Sequence, residues 1–357
     1  MAGPVAAPCP SAVQGSKKGS LMSYEKIGLR LLEYAVLAPS IYNSQPWKFS
    51  LNASSGAVEI YPDEGRSRPL ELDPRQRDLY LALGACLENL VLAGPALGYD
   101  GQEKLFPQGP PENRLVPAAR LELRPVSEVM PEPLFSTLLI RHSHAGAYKP
   151  ASVAEIHLQR LRALPAFSGQ EKLYFMTEDS QRQELSLLLH DLSHEGCLKA
   201  AMVMEAARWI TPKTGGLEGL PMAHIGLPPS VKVRFAFLRY LAFGKELREV
   251  ARQALLRQGH GIEAPAFLLM TTGNPGPVGY LNAGRWAQRI LLTLNEMELA
   301  FQILHLPISL SFCHADLRQR FGAPEGEEPV LLIRFGQPEN KKWPPTYRRP
   351  VEEVLLT

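Results

Sequence analysis

Cysteine is scarce in this chain of 357 residues, and the four present, Cys9, Cys86, Cys197 and Cys313, lie far apart with no Cys-x-x-Cys pair. That spacing argues against a disulfide framework and fits a reducing cytoplasm. Surplus charge is also lacking: 38 Lys and Arg against 36 Asp and Glu leave a formal charge of +2. No basic field is present to attract nucleic acid. No apolar run reaches the length that spans a bilayer, so no membrane partner is expected. His-Glu-x-x-His is missing. His190, His194 and Cys197 share a helical face, but without a second cluster they point to no metal. The run GGLEGL at 215–220 is not Gly-x-Gly-x-x-Gly, and no strand leads into it, so a separate dinucleotide-binding domain is unsupported. Residues 1–22 are rich in Pro, Gly and Ser with no apolar stretch, and read as a disordered tail rather than a signal peptide.

What is present is ordinary for a globular protein, with 45% hydrophobic residues over a length that suits two domains or one built in halves. Ile27, Leu31, Leu32 and Ala35 recur at helical spacing, and Pro39 ends that helix. Trp47, Phe49 and Leu51, then Val58 and Ile60, alternate across an Asn/Ser/Gly turn and read as a hairpin. A long apolar helix follows, with Gly98 near its end. The second half repeats this plan. KPASVAEIHLQRLRAL is an amphipathic helix, KLYFM and APAFLLMTTG are strands, GRWAQRILLTLNEMELAFQIL is a long apolar helix and EPVLLIRFG a buried strand. At an offset of 200 residues, Leu81 and Gly84 align with Leu281 and Gly284. The layout predicts two related halves that imitate a homodimer in one polypeptide.

Three segments carry chemistry. APSIYNSQPW, residues 38–47, sets two carboxamides and a tryptophan on a turn straight after a helix. Such a stretch is either a tightly hydrogen-bonded corner or a wall of a ligand site. RHSHAGAY, residues 141–148, spaces Arg141 and Ser143 so that both can reach one phosphate, although alone it reads more readily as a solvated basic turn. Near the C-terminus, Arg348 and Arg349 sit in a proline-rich crossing segment, and HLPISLSF can offer backbone N–H groups to a flat heterocycle.

Together these residues resemble the nitroreductase-family flavoproteins. APSIYNSQPW is similar to that family's Ser-x-x-Asn-x-Gln-Pro-Trp segment, RHS to its Arg-x-Ser motif, and LPISLSF through RRPVEEV to its C-terminal half. The likeness runs over roughly residues 24–355. The order departs from compact members: here Asn-x-Gln-Pro-Trp lies in the first half and Arg-x-Ser in the second, each once. That arrangement is similar to the Acg-like subgroup, a fused pseudo-dimer with one complete site.

The resemblance implies an α+β, nitroreductase-like fold of two related halves with antiparallel-dominated sheets and long central helices. The halves would span 23–135 and 136–357, with a lid-like insertion at about 210–262. It implies one FMN, with Pro39, Ser40 and Asn43 against it from the first half. Arg141, His142, Ser143 and Arg348 or Arg349 would hold its phosphate end, and the backbone of Pro307, Ile308, Ser309 and Leu310 would face its ring. Gln45 and Trp47 would pin the corner to the sheet. Many members carry a further Lys or Arg where this chain has Ala145; either the phosphate is held less strongly or His144 or Arg349 compensates. The implied activity is an FMN-dependent oxidoreductase taking hydride from NAD(P)H, a transient co-substrate, and passing electrons to a small nitroaromatic or quinone-like acceptor by ping-pong chemistry. No side chain need act as a catalyst there. The alternative is an FMN-binding or storage protein with a closed lid. Either way a monomer suffices, because the dimer interface is internal.

Overall fold

The computed structural model describes residues 23–109, 116–126, 131–192, 200–211, 216–221, 233, 263–340 and 346–356. The tail at 1–22 and most of the 210–262 insertion lie outside them. Helix α1 (Tyr24–Ala35) opens at Ser23, whose hydroxyl accepts from Lys26 N, and buries Ile27, Leu31 and Leu32. Strands β1 (Trp47–Asn52) and β2 (Ala57–Pro62) form the expected hairpin. Helix α2 (Arg77–Ala96) is buried on nearly every side. By length and hydropathy it would suit a membrane, yet it runs through the protein interior. Strands β3 (Tyr99–Leu105) and β4 (Ala119–Pro125) complete an antiparallel sheet in the order β1-β2-β4-β3.

The second half follows the same order of elements: α3 (Glu155–Arg162), then β5 (Glu171–Met176). Between β5 and its neighbour in the sheet come α4 (Asp179–Leu192), α5 (Ala200–Trp209) and the two-residue pair β6 (Ile210–Thr211) and β7 (Leu220–Pro221). Relative to the first half, the interruption therefore starts before residue 210. Strand β8 (Ala266–Thr272), helix α6 (Pro277–Glu296), β9 (Ala300–Ile303), α7 (His305–Ser309), α8 (His314–Phe321) and β10 (Glu328–Gly336) follow, with α9 (Val351–Val354) near the end. The second sheet runs β5-β8-β10-β9. Setting aside β6 and β7, each sheet thus orders its strands first, second, fourth, third, and all its pairings are antiparallel.

The two halves meet where α2 crosses α6. A Cβ on Gly84 would stand 2.0 Å from Leu281 O, and one on Gly284 would stand 2.2 Å from Leu81 O. Each glycine lets the other helix's backbone approach, so the aligned positions of the sequence repeat touch reciprocally. Glu88, fully buried, accepts from Arg285 Nε at 2.8 Å and Arg289 Nε at 2.6 Å, and Gln288 donates to Asn89 at 2.7 Å. One apolar core runs through both long helices and both sheets. A second packs on the outer face of β8 and β10, which explains why AFLLM and VLLI read as unbroken apolar runs.

Two sequence boundaries shift. The second long helix starts at Pro277 and stops at Glu296, and AFQI is strand β9. The C-terminal segment, counted with the second half, returns to the first: Leu355 bridges Phe49 in parallel and Leu356 N donates to Phe49 O at 2.8 Å.

Candidate functional site

The site begins at the end of α1. On α2, Asn89 Nδ2 donates to Tyr34 O at 2.9 Å and Cys86 Sγ to Ala35 O at 3.4 Å, which fixes where the chain leaves the helix. The next residues turn sharply: Tyr42, Asn43 and Gln45 have φ of 50°, 54° and 54°. Left-handed backbone suits asparagine but strains tyrosine, at about 1–3 kcal/mol for such a residue. Hydrogen bonds hold the turn. Ser40 Oγ accepts from Gln45 N at 2.9 Å, and Gln45 Nε2 donates to Asn43 O at 3.3 Å and Leu217 O at 2.7 Å. Gln45 Oε1 accepts from Arg349 N at 2.8 Å, and Asn43 Nδ2 donates to Tyr347 O at 3.1 Å. The carboxamide of Gln45 thus ties the corner to the C-terminal strap and the 216–221 loop; Trp47, fully buried, roots it in β1.

This corner walls a cavity that opens to solvent. Pro39, Ser40, Asn43, Arg141, Ser143 and Arg348 line it, so the first half's corner and the second half's Arg-x-Ser motif come together there. Leu81, Ala85, Gly284 and Ala287, from either side of the helix crossing, form an apolar wall.

One end is a cationic cradle. Arg141 Nη2 donates to Leu37 O at 3.3 Å; Arg348 Nη2 donates to Leu37 O and Ala38 O at 3.3 Å, and its Nη1 to Tyr347 O at 3.1 Å. Arg141 Nε and Nη1, Arg348 Nε and the Oδ1 of Asn43 have no protein partner. Burial, then the charge of Arg348, pushes the Arg141 guanidinium down to about 9, and burial pushes Arg348 down to about 10. Both remain cations at neutral pH, close together and desolvated. Such a pair favours an anion bound between them.

The other end is a buried charge network. Arg68 donates to Glu205 on α5 at 2.8 Å, to Asp78 at 2.7 Å and to Ser309 Oγ at 2.9 Å. Burial raises the carboxyl of Asp78, but Arg77 and Arg68 outweigh it and hold the group well below the usual carboxylate range. His305, also on the cavity wall, is pushed by burial down to about 4 and is neutral at pH 7. Tyr42 faces the same end; burial, then Glu205, pushes its hydroxyl up, so it stays protonated.

Six expected residues lie elsewhere. Pro307, Ile308, Ser309 and Leu310, whose backbone was expected to face the ring, are not among the lining residues, and 305–309 closes into the short helix α7. Its polar groups are used inside the protein: Ile308 O accepts from Arg77 Nη1 at 3.1 Å and lies 2.9 Å from His314 Nε2, while Ile308 and Leu310 join the second core. His142 turns its Nδ1 to within 3.0 Å of Ile140 O. Arg349 pairs with Glu353 at 3.2 Å, on the far side of the strap from Arg348. His144, expected to replace the missing base, is buried outside the cavity. The wall's unforeseen polar members among the described residues are Tyr42, Asp78, Gln302, His305, Arg334 and Thr346. Tyr42 and His305 lie within segments already singled out, but neither was read as a member of the wall. Only a buried charge within an otherwise apolar strand, Arg334, carried a signal.

No protein-family model matches the sequence. "Putative NAD(P)H nitroreductase Rv3131" of Mycobacterium tuberculosis is 27% identical over 331 residues, covering 91% of this chain and 90% of that protein. "Putative NAD(P)H nitroreductase acg" of the same organism is 25% identical over 336 residues, covering 91% and 93%. The chain is thus similar, over about nine tenths of its length, to proteins named as NAD(P)H nitroreductases. A solved structure named as a putative nitroreductase from Anabaena variabilis superimposes with a TM-score of 0.51 at 12% identity, covering 92% of this chain and 94% of that one. It therefore shares the fold over nearly the full length, both halves included.

The internal repeat also locates a second position, and there it is filled. Ala82 and Ala85 line the cavity, whereas Asn282 and Arg285 occupy the places 200 residues on. Arg285 is buried, donates to Glu88 and, at 3.0 Å, to Glu103, and stacks over Phe167 with 3.9 Å to the ring centroid. Phe167 comes from the α3–β5 loop, the counterpart of the α1–β1 corner. An ion pair and a ring thus stand where the first position leaves space.

Proposed function

We propose that the chain is an FMN-dependent oxidoreductase that uses NAD(P)H, with one flavin between its two halves. The observation that carries this reading is the Arg141–Arg348 pair: two desolvated cations with N–H groups free of protein partners, at the head of a cavity long enough to extend past the helix crossing. The donor set fits the cofactor. Arg141, Arg348 and Ser143 would hold the phosphate, the unpaired Oδ1 of Asn43 would accept one N–H of the ligand, and the apolar wall at Ala85 and Ala287 would take a flat ring. Bound there, the flavin would supply hydride acceptance and electron transfer. The protein's part is binding, orientation and exclusion of water. His305 stays neutral and Asp78 ionised at pH 7, so neither competes with the cradle for the anion.

The finer reading is ping-pong turnover, NAD(P)H first and then a small nitroaromatic or quinone-like acceptor at the same face. The two halves act as a pseudo-dimer, so a monomer has a complete site, with neither nucleic acid nor membrane as partner. Buried thiols at Cys86 and Cys313, neither in a disulfide, suit a reducing cytoplasm.

One observation favours a second reading, FMN held without turnover. The 216–221 loop is latched to the corner: Gly219 N donates to Asn43 O at 3.3 Å, Gln45 to Leu217 O, and Glu218 pairs with Arg66 at 2.5 Å, while Leu220 lines the cavity. Mass spectrometry of the released pigment, then anaerobic stopped-flow bleaching with NADH or NADPH, separates the readings. Bleaching followed by recolouring with a quinone supports the oxidoreductase. A yellow protein that no nicotinamide bleaches, but which bleaches once 214–226 is removed, supports storage under a lid. A protein that retains no flavin refutes both.

A further inference from the structure

A second opening lies just outside the corner. Leu220 lines the cavity of the candidate site, whereas Gly219 and Glu218 line this cleft together with Asp63, Arg66, Arg208 and Trp209. Neighbouring residues of one chain thus face the two spaces, and consecutive Cα atoms stand only about 3.8 Å apart. The strip between them is fixed. Ile210 and Thr211 pair with Leu220 and Pro221, and a Cβ on Gly219 would stand 2.4 Å from Trp209 O. A ligand that leaves the cavity over Leu220 meets this cleft next.

Two guanidiniums converge there. Arg66 lies 5.8 Å and Arg208 5.1 Å from the centroid of the Trp209 ring, whose face attracts both cations. Arg208 Nη2 donates to Gly65 O at 2.7 Å, one residue from Arg66, while its Nε and Nη1 meet no hydrogen-bond partner among the described residues. Arg66 Nη1 donates to Ser44 O at 3.1 Å, which ties it to the corner. Two acids face Arg66. Asp63 Oδ2 stands 3.7 Å from Nε, too far for a hydrogen bond, and Glu218 Oε2 stands 2.5 Å from Nη2. The Glu218 side chain is 48% exposed, and a pair so exposed adds little stability and exchanges readily. Its carboxylate meets one guanidinium, whereas a doubly charged phosphate has oxygens for both.

We infer that this cleft seats the 2′-phosphate of NADPH between Arg66 and Arg208, and that Glu218 holds the place as a stand-in anion until the phosphate displaces it. The inference rests on the NAD(P)H reading above and narrows it to the phosphorylated nucleotide. No covalent bond changes in the exchange: the Glu218 carboxylate turns to water as the phosphate takes its N–H groups. With Glu218 displaced, two guanidiniums face the phosphate against the single carboxylate of Asp63. Arginine suits the task, since its fork meets phosphate oxygens in pairs and gains nothing comparable from a 2′-hydroxyl.

The fragments 2′,5′-ADP and 5′-AMP differ by the 2′-phosphate alone and make the test without flavin chemistry. Dissociation constants would be measured by isothermal titration calorimetry on the wild-type protein, Arg208→Ala and Glu218→Gln; both changed side chains are exposed, so the fold is kept. Wild type should bind 2′,5′-ADP about tenfold or more tighter than 5′-AMP. Arg208→Ala should remove most of that difference. Glu218→Gln should tighten 2′,5′-ADP by about two- to fivefold, the size of an exposed ion pair, and leave 5′-AMP unchanged. Equal affinity for the two fragments in the wild type, or a Glu218→Gln protein that binds both as the wild type does, overturns the assignment. So does inorganic phosphate that displaces 2′,5′-ADP at comparable concentration, which marks an adventitious anion site only. A protein with these fragment affinities that holds no FMN upholds the assignment and sinks the FMN reading alone. One that holds FMN and binds the two fragments alike does the reverse.

Discussion

Replacing Arg141 with alanine should move the empty and the flavin-loaded protein in opposite directions. In the empty protein the Arg141 cation is poorly solvated and faces Arg348. Its descent from 12.5 to about 9 corresponds to a penalty on the order of 5 kcal/mol at full value. Arg141 lines a cavity that admits water, so roughly half of that is a fairer figure. The sign follows from linkage: a base whose folded value is depressed destabilises the fold wherever it is charged in both states, which includes pH 7, and the penalty fades as pH climbs from about 9 towards 12.5. Removing the guanidinium relieves that strain at the cost of one long hydrogen bond to Leu37 O and some stem packing. The empty variant should therefore melt no lower than the wild type. FMN affinity should fall by about 2–5 kcal/mol, or roughly 30- to 5,000-fold, because a desolvated charge contact is truncated. Arg30→Ala is a suitable control, since Arg30 sits on α1 with only a 3.5 Å pair to Glu33. Differential scanning fluorimetry of the stripped protein and fluorescence titration with FMN measure both effects. An empty variant that melts several degrees lower and binds FMN as tightly as Arg30→Ala would refute the reasoning.

Flavin absorbance against protein concentration should give one FMN per chain, because Arg285, Glu88 and Phe167 fill the second position; a value near two would contradict this. Arg285→Ala should destabilise the fold by about 3–5 kcal/mol, seen as a lower urea midpoint, since Glu88 stays fully buried with one partner fewer, and Glu88→Gln added to it should restore part of the loss. Gly284→Ala should cost about 3 kcal/mol or more by chemical denaturation, because its Cβ would meet Leu81 O at 2.2 Å and rigid backbone must move; an unchanged midpoint would mean the crossing is looser than described.

The parts of the site legible in the sequence are those whose chemistry is local. The corner at 38–47 and Arg141 with Ser143 are short runs in which neighbouring residues share one task, so their spacing could be read directly. The 200-residue repeat announced two related halves, but that Gly84 and Gly284 let the two buried helices touch, and so form the apolar wall, came only from the structure. Strands β3 and β9 escaped notice because each is the last strand of its sheet, where one side of the ladder needs no partner and a polar run such as YDGQEKL is tolerated. HLPISLSF was read as offering backbone N–H groups to a ring, and nothing local shows that Arg77 and His314, 231 and 6 residues from Ile308, meet the Ile308 carbonyl within the fold. Tyr42 was legible as a member of the corner but not as a wall, because nothing local marks φ as positive in a tyrosine. Arg334 is the instructive omission. VLLIRFG reads as a strand buried on both faces, and a strand of that kind has no exposed face on which to place a guanidinium. The charge must therefore meet fixed partners or a ligand inside the protein. That inference needed no coordinates; the structure added only the partners the guanidinium meets, Gln302 Oε1 at 2.7 Å and Gly146 O at 3.2 Å among them.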